Sequence, residues 1–242
     1  MRPLSASNIL SVWERASRRP PVERALLLLG AAFPGQTSEA LAQLSIGQRD
    51  SLLMMLREQT FGPQFVSRLS CQKCGEHLEL AFKSSDIGIT HDADDTGTLT
   101  LNAGGYEVLF RLPNSEDIRA VTVPSESNAE QLLLEHCLLG VTKDGAEQPV
   151  AELPRFVVEM VEERMAEGDP PSLPISLVCA ACSHKWSVGF DIVAYFWSEL
   201  NAWANRTLRE VHLMASAYGW RESDILSMSA SRRQSYLEMI GG

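Results

Sequence analysis

The chain has 242 residues, 45% of them apolar and 21% charged, with 16 Gly and 12 Pro. That composition excludes a disordered or collagen-like chain, and the length is enough to bury a core without covalent staples. The net charge of −10 weighs against a protein that coats nucleic acid or an anionic membrane, since those partners select a basic surface.

The most apolar run, residues 25–33, is nine residues interrupted by Gly30, and the first eight residues lack the apolar stretch of a secretory signal. Neither a bilayer span nor export is expected. Five cysteines in a chain expected in the cytoplasm point to metal ligation before disulfides.

The first seventy residues read as helical. Ser7 or Asn8 is placed to cap a helix through Arg18, which Pro20 and Pro21 end. Residues 21–33 form a second apolar helix, closed by Pro34-Gly35. Ser45 opens a third, with Leu52, Leu53, Leu56 and Phe61 on one side and Arg49, Asp50, Arg57 and Glu58 on the other. The period then changes to two: strands over 65–69 and 78–82 flank the tight turn Cys71-Gln72-Lys73-Cys74-Gly75. An acidic, turn-rich stretch from His91 to Gly97 follows. Residues 98–101 and 106–112 form a hairpin around Asn102-Ala103-Gly104-Gly105.

Residues 128–139 read as a helix stopped by Gly140, Lys143-Asp144-Gly145 as a turn, and Pro154 as the start of a helix through Met165. The strand, cysteine turn, strand pattern then recurs, with 175–178 and 185–190 around Cys179-Ala180-Ala181-Cys182-Ser183. The longest helix covers 191–217, with Val193, Trp197, Leu200, Ala204, Val211, Met214 and Tyr218 on its apolar side. After the turn Tyr218-Gly219-Trp220 come two short helices. The last carries a Ser231-Arg232-Arg233-Gln234 capping box and an apolar face of Tyr236, Leu237 and Ile240.

The expected fold class is α+β, mainly α: helical N- and C-terminal parts joined by a split, zinc-ribbon-like β element, with an acidic hairpin and helix insertion. The expected divisions are residues 1–64, the split element at 65–83 and 172–190, the insertion at 84–171, and the terminal helices at 191–242. Charge follows these divisions, because residues 84–169 hold 18 Asp and Glu against 5 Lys and Arg. That region keeps the chain soluble or offers an acidic face to a basic partner.

Two Cys-x-x-Cys pairs, each between short strands, match the knuckle that aims two thiolates at one tetrahedral zinc. Cys71, Cys74, Cys179 and Cys182 would complete one four-cysteine site, with one structural zinc per chain tying the first and last thirds of the chain together. Four thiolates leave no open position for substrate or water, so the metal is expected to stabilise rather than catalyse. The alternatives are two unrelated pairs, or redox dithiols. His77-Leu78-Glu79 with Cys179 and Cys182 also echoes zinc deaminases, but Val178 stands where their proline belongs, and Cys71 and Cys74 would have no role.

Cys137, among aliphatics, reads as a buried thiol. His77 and His184 follow the pairs closely enough to support a ligand through hydrogen bonds. Trp186, Trp197, Trp203 and Trp220 read mostly as core. The chain contains no Gly-rich phosphate loop, nucleophile elbow or His-Glu-x-x-His.

The run Phe190-Asp191-Ile192 through Phe196-Trp197-Ser198-Glu199-Leu200, then Leu208-Arg209-Glu210-Val211-His212, Ala217-Tyr218-Gly219-Trp220, Ile225-Leu226 and Arg232-Arg233-x-x-Tyr236-Leu237, resembles the T-even-phage-type baseplate hub assembly family. Related proteins accompany contractile tails and phage-tail-like injection systems. The stretch from Leu44 through Arg57, Phe61-Gly62, the cysteine pairs and Phe110-Arg111-Leu112-Pro113-Asn114-Ser115-x-Asp117 resemble its zinc-knuckle members. The similarity covers roughly residues 44 to 240.

The resemblance implies a non-enzymatic, chaperone-like assembly factor that meets baseplate hub, spike or tape-measure proteins in the cytoplasm of the producing bacterial cell. A component retained in the particle is the alternative. Such a factor needs recognition surface rather than a small-molecule pocket. The terminal helices suit a helix-in-groove contact, for which Tyr218, Trp220, Arg232, Arg233 and Tyr236 are the candidate residues. The competing expectation is that Tyr218 and Tyr236 only pack the last helix on the long one.

A nucleic-acid-binding zinc ribbon would need basic knuckles. Residues 71–82 hold one Lys against two Glu, and residues 179–190 hold one Lys. An enzyme would need a deep cleft converging on an open metal position.

Overall fold

The computed structural model describes residues 1–87, 97–121, 129–169 and 173–241. The acidic stretch of residues 91–96 and the expected helix start Asn128 lie outside the described residues. The fold is mixed α+β, as expected. By contacts the chain separates into a terminal unit, Met1–Gln36 with Ile192–Gly242, and a central unit, Thr37–Asp191.

The terminal unit is helical. α1 (Ala6–Ala16) begins two or three residues earlier than the sequence suggested: its cap is Ser5, which forms a capping box with Asn8. Ser7 and Asn8 are therefore inside the helix. α2 (Pro21–Ala32) uses Pro21 where the first turn needs no N–H. Both pack on the long helix α8 (Ile192–Tyr218). The Trp13 indole donates to Asn201 Oδ1 at 2.8 Å, and the Arg24 guanidinium lies 4.6 Å from the Trp197 ring centre. The apolar side of α8 is as expected, with Val193, Leu200, Ala204, Val211 and Met214 buried. α9 (Glu222–Ser227) and α10 (Ala230–Gly241) fold back on it. The α10 cap is Ser229, whose Oγ accepts from Arg232 N at 3.2 Å, and not the predicted Ser231 box.

The central unit opens with α3 (Ser38–Ala42), capped by Thr37, a short helix that the periodicity did not signal. α4 (Ile46–Phe61) starts at the predicted Ser45, boxed with Gln48. Its expected polar side is not all in water: Arg49 is 7% and Arg57 2% exposed, whereas Met55 is 44% exposed. Arg49 gains burial by pairing with Asp50 at 2.7 Å. Arg57 donates to the Gly62 carbonyl at 2.8 Å and lies over the Phe65 ring at 3.9 Å. A guanidinium can enter a core this way because a carbonyl and a π face replace its water.

β1 (Gln64–Ser70) pairs antiparallel with β2 (His77–Lys83), Phe65 standing opposite Phe82. β3 (Thr98–Ala103), β4 (Tyr106–Arg111), β5 (Leu138–Lys143) and the two-residue β6 (Ala146–Glu147) form a sheet in that order. α5 (Ser115–Val121) and α6 (Ala129–Cys137) lie between β4 and β5. The predicted helix over 128–139 therefore stops at Cys137, and Leu138-Leu139-Gly140 is strand. Pairing with β4 sends Leu138 and Val141 into a core with Val108, Phe110, Val157 and Val161, and that burial outweighs helical propensity. α7 (Arg155–Gly168) supplies the two valines from Pro154 onward. β7 (Leu173–Val178) and β8 (Lys185–Phe190) form the second cysteine hairpin, Leu173 opposite Phe190.

Candidate metal centre

The two cysteine hairpins are built alike. In the first, Cys71 N donates to the Glu76 carbonyl at 2.8 Å, and Gly75 N donates to the Cys71 carbonyl at 2.9 Å. In the second, Cys179 N donates to the His184 carbonyl at 2.9 Å, and Ser183 N to the Cys179 carbonyl at 2.9 Å. The residue after each second cysteine has positive φ: 78° at Gly75 and 57° at Ser183. Glycine takes that conformation without cost, while Ser183 holds it against the usual steric preference.

These turns bring all four predicted sulfurs to one point. Their Sγ atoms lie within 4.8 Å of one another, with Cys71 3.7 Å from Cys182 and Cys74 3.6 Å from Cys179. Each first cysteine faces the second cysteine of the other hairpin, the pairing an approximate two-fold relation between like hairpins produces. Tetrahedral thiolates 2.3 Å from a zinc would be about 3.8 Å apart, so the donor set and spacing fit such an ion. The alternative of two unrelated pairs does not survive this convergence. The four cysteines are the group of three or more His, Cys, Asp or Glu among the described residues that could hold a metal ion.

The crowding shifts the Cys71 and Cys74 thiols in opposite senses. Burial pushes the Cys71 thiol up, but hydrogen bonds from the Cys74 and Lys73 backbone and from neighbouring thiols outweigh it and bring it down to about 7. Cys74 accepts a lowering backbone hydrogen bond from Glu76, yet Cys182, burial, Cys179 and Cys71 push it up to about 12. Cys71 thus gives up its proton readily and Cys74 keeps its own, which a divalent cation would displace.

His77 Nδ1 lies 3.0 Å from Ser70 Oγ across the hairpin, and His184 stacks on Trp186 at 5.6 Å, so both engage local neighbours. The isolated Cys137 is fully buried, and burial with the nearby Asp117 charge pushes its thiol up to about 11.

An unpredicted feature stands at the far end of the hairpins. Phe65 stacks on Phe82 at 5.1 Å, and Phe190 meets both edge-on, at 5.8 and 5.1 Å. With Arg57 over Phe65, this brace joins both hairpins to α4. A signal for it exists in the sequence: Phe82 and Phe190 each follow the second cysteine of their pair by the same interval.

The terminal residues expected to meet a partner are gathered, but not all on the surface. Tyr218 stacks on Trp220 at 4.5 Å, and Tyr236 meets them edge-on at 5.7 and 4.8 Å. All three pack against the buried Val211, Met214 and Ile225. Arg232 is exposed, 5.8 Å from the Tyr236 ring centre. Arg233 is 4% exposed, donating to Glu210 Oε2 and the Met228 carbonyl, each at 2.9 Å. Its guanidinium holds α10 to α8 and is not offered outward.

No helix among the described residues is long and apolar enough to cross a membrane. No curated protein and no solved structure matches the chain. A family model described as T4 bacteriophage base plate protein matches residues 27–197, over two thirds of the chain and all four clustered cysteines. The match starts earlier than the similarity expected from residue 44 and ends at Trp197, so it does not reach the stretch from Leu208 to Leu237. By that match the chain belongs to the T4 bacteriophage base plate protein family.

Proposed function

We propose that the protein is a chaperone-like assembly factor for the baseplate hub of a contractile phage tail or phage-tail-like injection system, working by contacts with hub, spike or tape-measure proteins. Membership of the base plate family carries this reading. The geometry of the cysteine cluster is consistent with it: four thiols surrounding one point would use every tetrahedral position, so an ion there would hold the fold without binding substrate. We assign that ion as zinc, held by Cys71, Cys74, Cys179 and Cys182, with the split β element of residues 65–83 and 172–190 as its housing. On the terminal unit, the half-buried Tyr218, Trp220 and Tyr236 with the exposed Arg232 form the contact face, and Arg233 acts by fixing its shape.

The test is deletion of the gene from its tail operon, with particles viewed by electron microscopy and their proteins measured by mass spectrometry. Absent or hubless baseplates, restored by the gene in trans and containing no copy of the protein, are expected. Normal, functional baseplates overturn the reading. Stoichiometric copies in finished particles replace the assembly factor with a retained structural component.

A further inference from the structure

The central unit exposes two large apolar side chains on one flank of α7. Phe156 is 47% and Met160 39% exposed, while Val157 and Val161 on the adjoining face are fully buried. Phe156 and Met160 are one helical turn apart, and Glu163 and Glu167 continue the flank over the next two turns. Glu167 shares its carboxylate with Arg164 at 3.0 Å, and both are exposed.

The Phe156 ring lies against Gly104. A Cβ on Gly104, whose φ is 58°, would come within 2.9 Å of Phe156 Cζ, so glycine at the β3–β4 turn makes room for the ring. The same Gly104 lines an open cleft of about 370 Å³ between the turns at 102–105 and 144–145, with Glu107 and Asp144 among its walls. The flank belongs to a unit with 24 Asp and Glu against 11 Lys and Arg.

Carboxylates alone suffice for solubility, whereas a phenylalanine and a methionine held side by side in water work against it. The combination complements a segment that is itself apolar on one side and cationic on the other. We propose that this flank docks a basic, apolar-anchored segment of another protein, its aliphatic anchor on Phe156 and Met160 and its Lys or Arg side chains against Glu163 and the cleft carboxylates. Only the partner's identity as a tail protein rests on the assembly reading.

The probe is a fluorescent amphipathic helical peptide of Leu and Lys, titrated with the full chain at low salt and followed by anisotropy. The same peptide with Glu for Lys is the control. Glu163→Lys, and separately Phe156→Ser with Met160→Ser, are each expected to weaken binding by about tenfold, the effect of losing a central contact. Glu14→Lys and Glu238→Lys, equal charge changes on the terminal unit, are expected to change it less than twofold. Equal losses from all of these variants reduce the effect to net charge and overturn the proposal, as does peptide binding that none of them alters. Glu163→Lys changes an exposed side chain, so the test stands even if the serine variant does not fold. Self-association above 26.7 kDa that the serine substitutions abolish would assign the flank to a second copy and overturn the basic partner. A chain required for baseplates that ignores the peptide overturns this flank alone.

Discussion

Asp117 shows how a residue quoted for family resemblance does structural work. Arg111 grips its carboxylate in a fork, Nη1 to Oδ2 at 2.6 Å and Nη2 to Oδ1 at 2.7 Å, and Asn114 N donates to Oδ2 at 2.9 Å. Asn114 Oδ1 in turn accepts from Glu116 and Asp117 N, capping α5, while its amide reaches Gln43. The motif is thus a corner linking β4, α5 and the segment before α4. Burial pulls the Asp117 carboxyl up, but the Arg111 fork, the Asn114 N–H and the nearby cationic charges hold it below its ordinary value of 3.8. A depressed folded-state value means that this stabilisation is fully present above that ordinary value and is lost as pH falls through the folded one. Asp117→Asn should cost about 2–3 kcal/mol at neutral pH, the loss of charge-assisted hydrogen bonds. Urea unfolding at neutral pH and near pH 3 checks it, because the gap between the variant and the parent should narrow in acid. Asp50, which burial pushes up, acts in the opposite sense in both proteins and cancels in that comparison. An acid-independent gap would show that the Asp117 charge is not the cause.

At the scale of elements, each cysteine hairpin has two attachments, the sulfurs at its turn and a phenylalanine at its open end. The aromatic brace buries Phe65 completely and leaves Phe82 7% exposed. It should hold the hairpins together independently of any ion at the cysteines. Phe65→Ala is expected to destabilise the central unit by about 3–5 kcal/mol, the usual cost of emptying a core phenylalanine site, and to leave Arg57 without its π partner. Metal content, measured on the folded variant, should stay at one ion per chain. Loss of the ion together with the ring would mean that brace and cluster form one unit. Periodicity located both hairpins within a residue or two, since alternating strands around Cys-x-x-Cys carry a local signal. It misassigned Leu138 and Leu139 because a run of leucines has no period to distinguish helix from strand, and only β4 alongside decides. The caps at Ser5 and Ser229 were missed because several serines compete, and the winning hydroxyl depends on where packing starts the helix.

For the whole molecule, the charge of −10 resolves into a central unit of −13 and a terminal unit of +3. Closing a cluster across the 104 residues between Cys74 and Cys179 would restrain a long loop, so the proposed ion should stabilise the entire central unit. Cys179→Ser is expected to abolish stoichiometric zinc and lower the melting temperature by about 10 °C, the scale of losing a tightly bound ligand from a chain of this size. Elemental analysis with calorimetry checks it, and an unchanged melt with no bound zinc in the parent refutes a structural ion.

The sequence by itself determined the α+β class, the two Cys-x-x-Cys hairpins and the family, because each depends on residue types at short spacings, whereas the meeting of the four cysteines across 104 residues was decided by the tertiary structure. Tertiary structure alone decided that Arg49, Arg57 and Arg233 are buried, that three phenylalanines brace the hairpins, and that Phe156 and Met160 remain in water. Those outcomes turn on which surfaces meet: a guanidinium is buried only where a carboxylate, carbonyl or ring from a distant segment replaces its water, and an apolar side chain stays exposed only where none arrives.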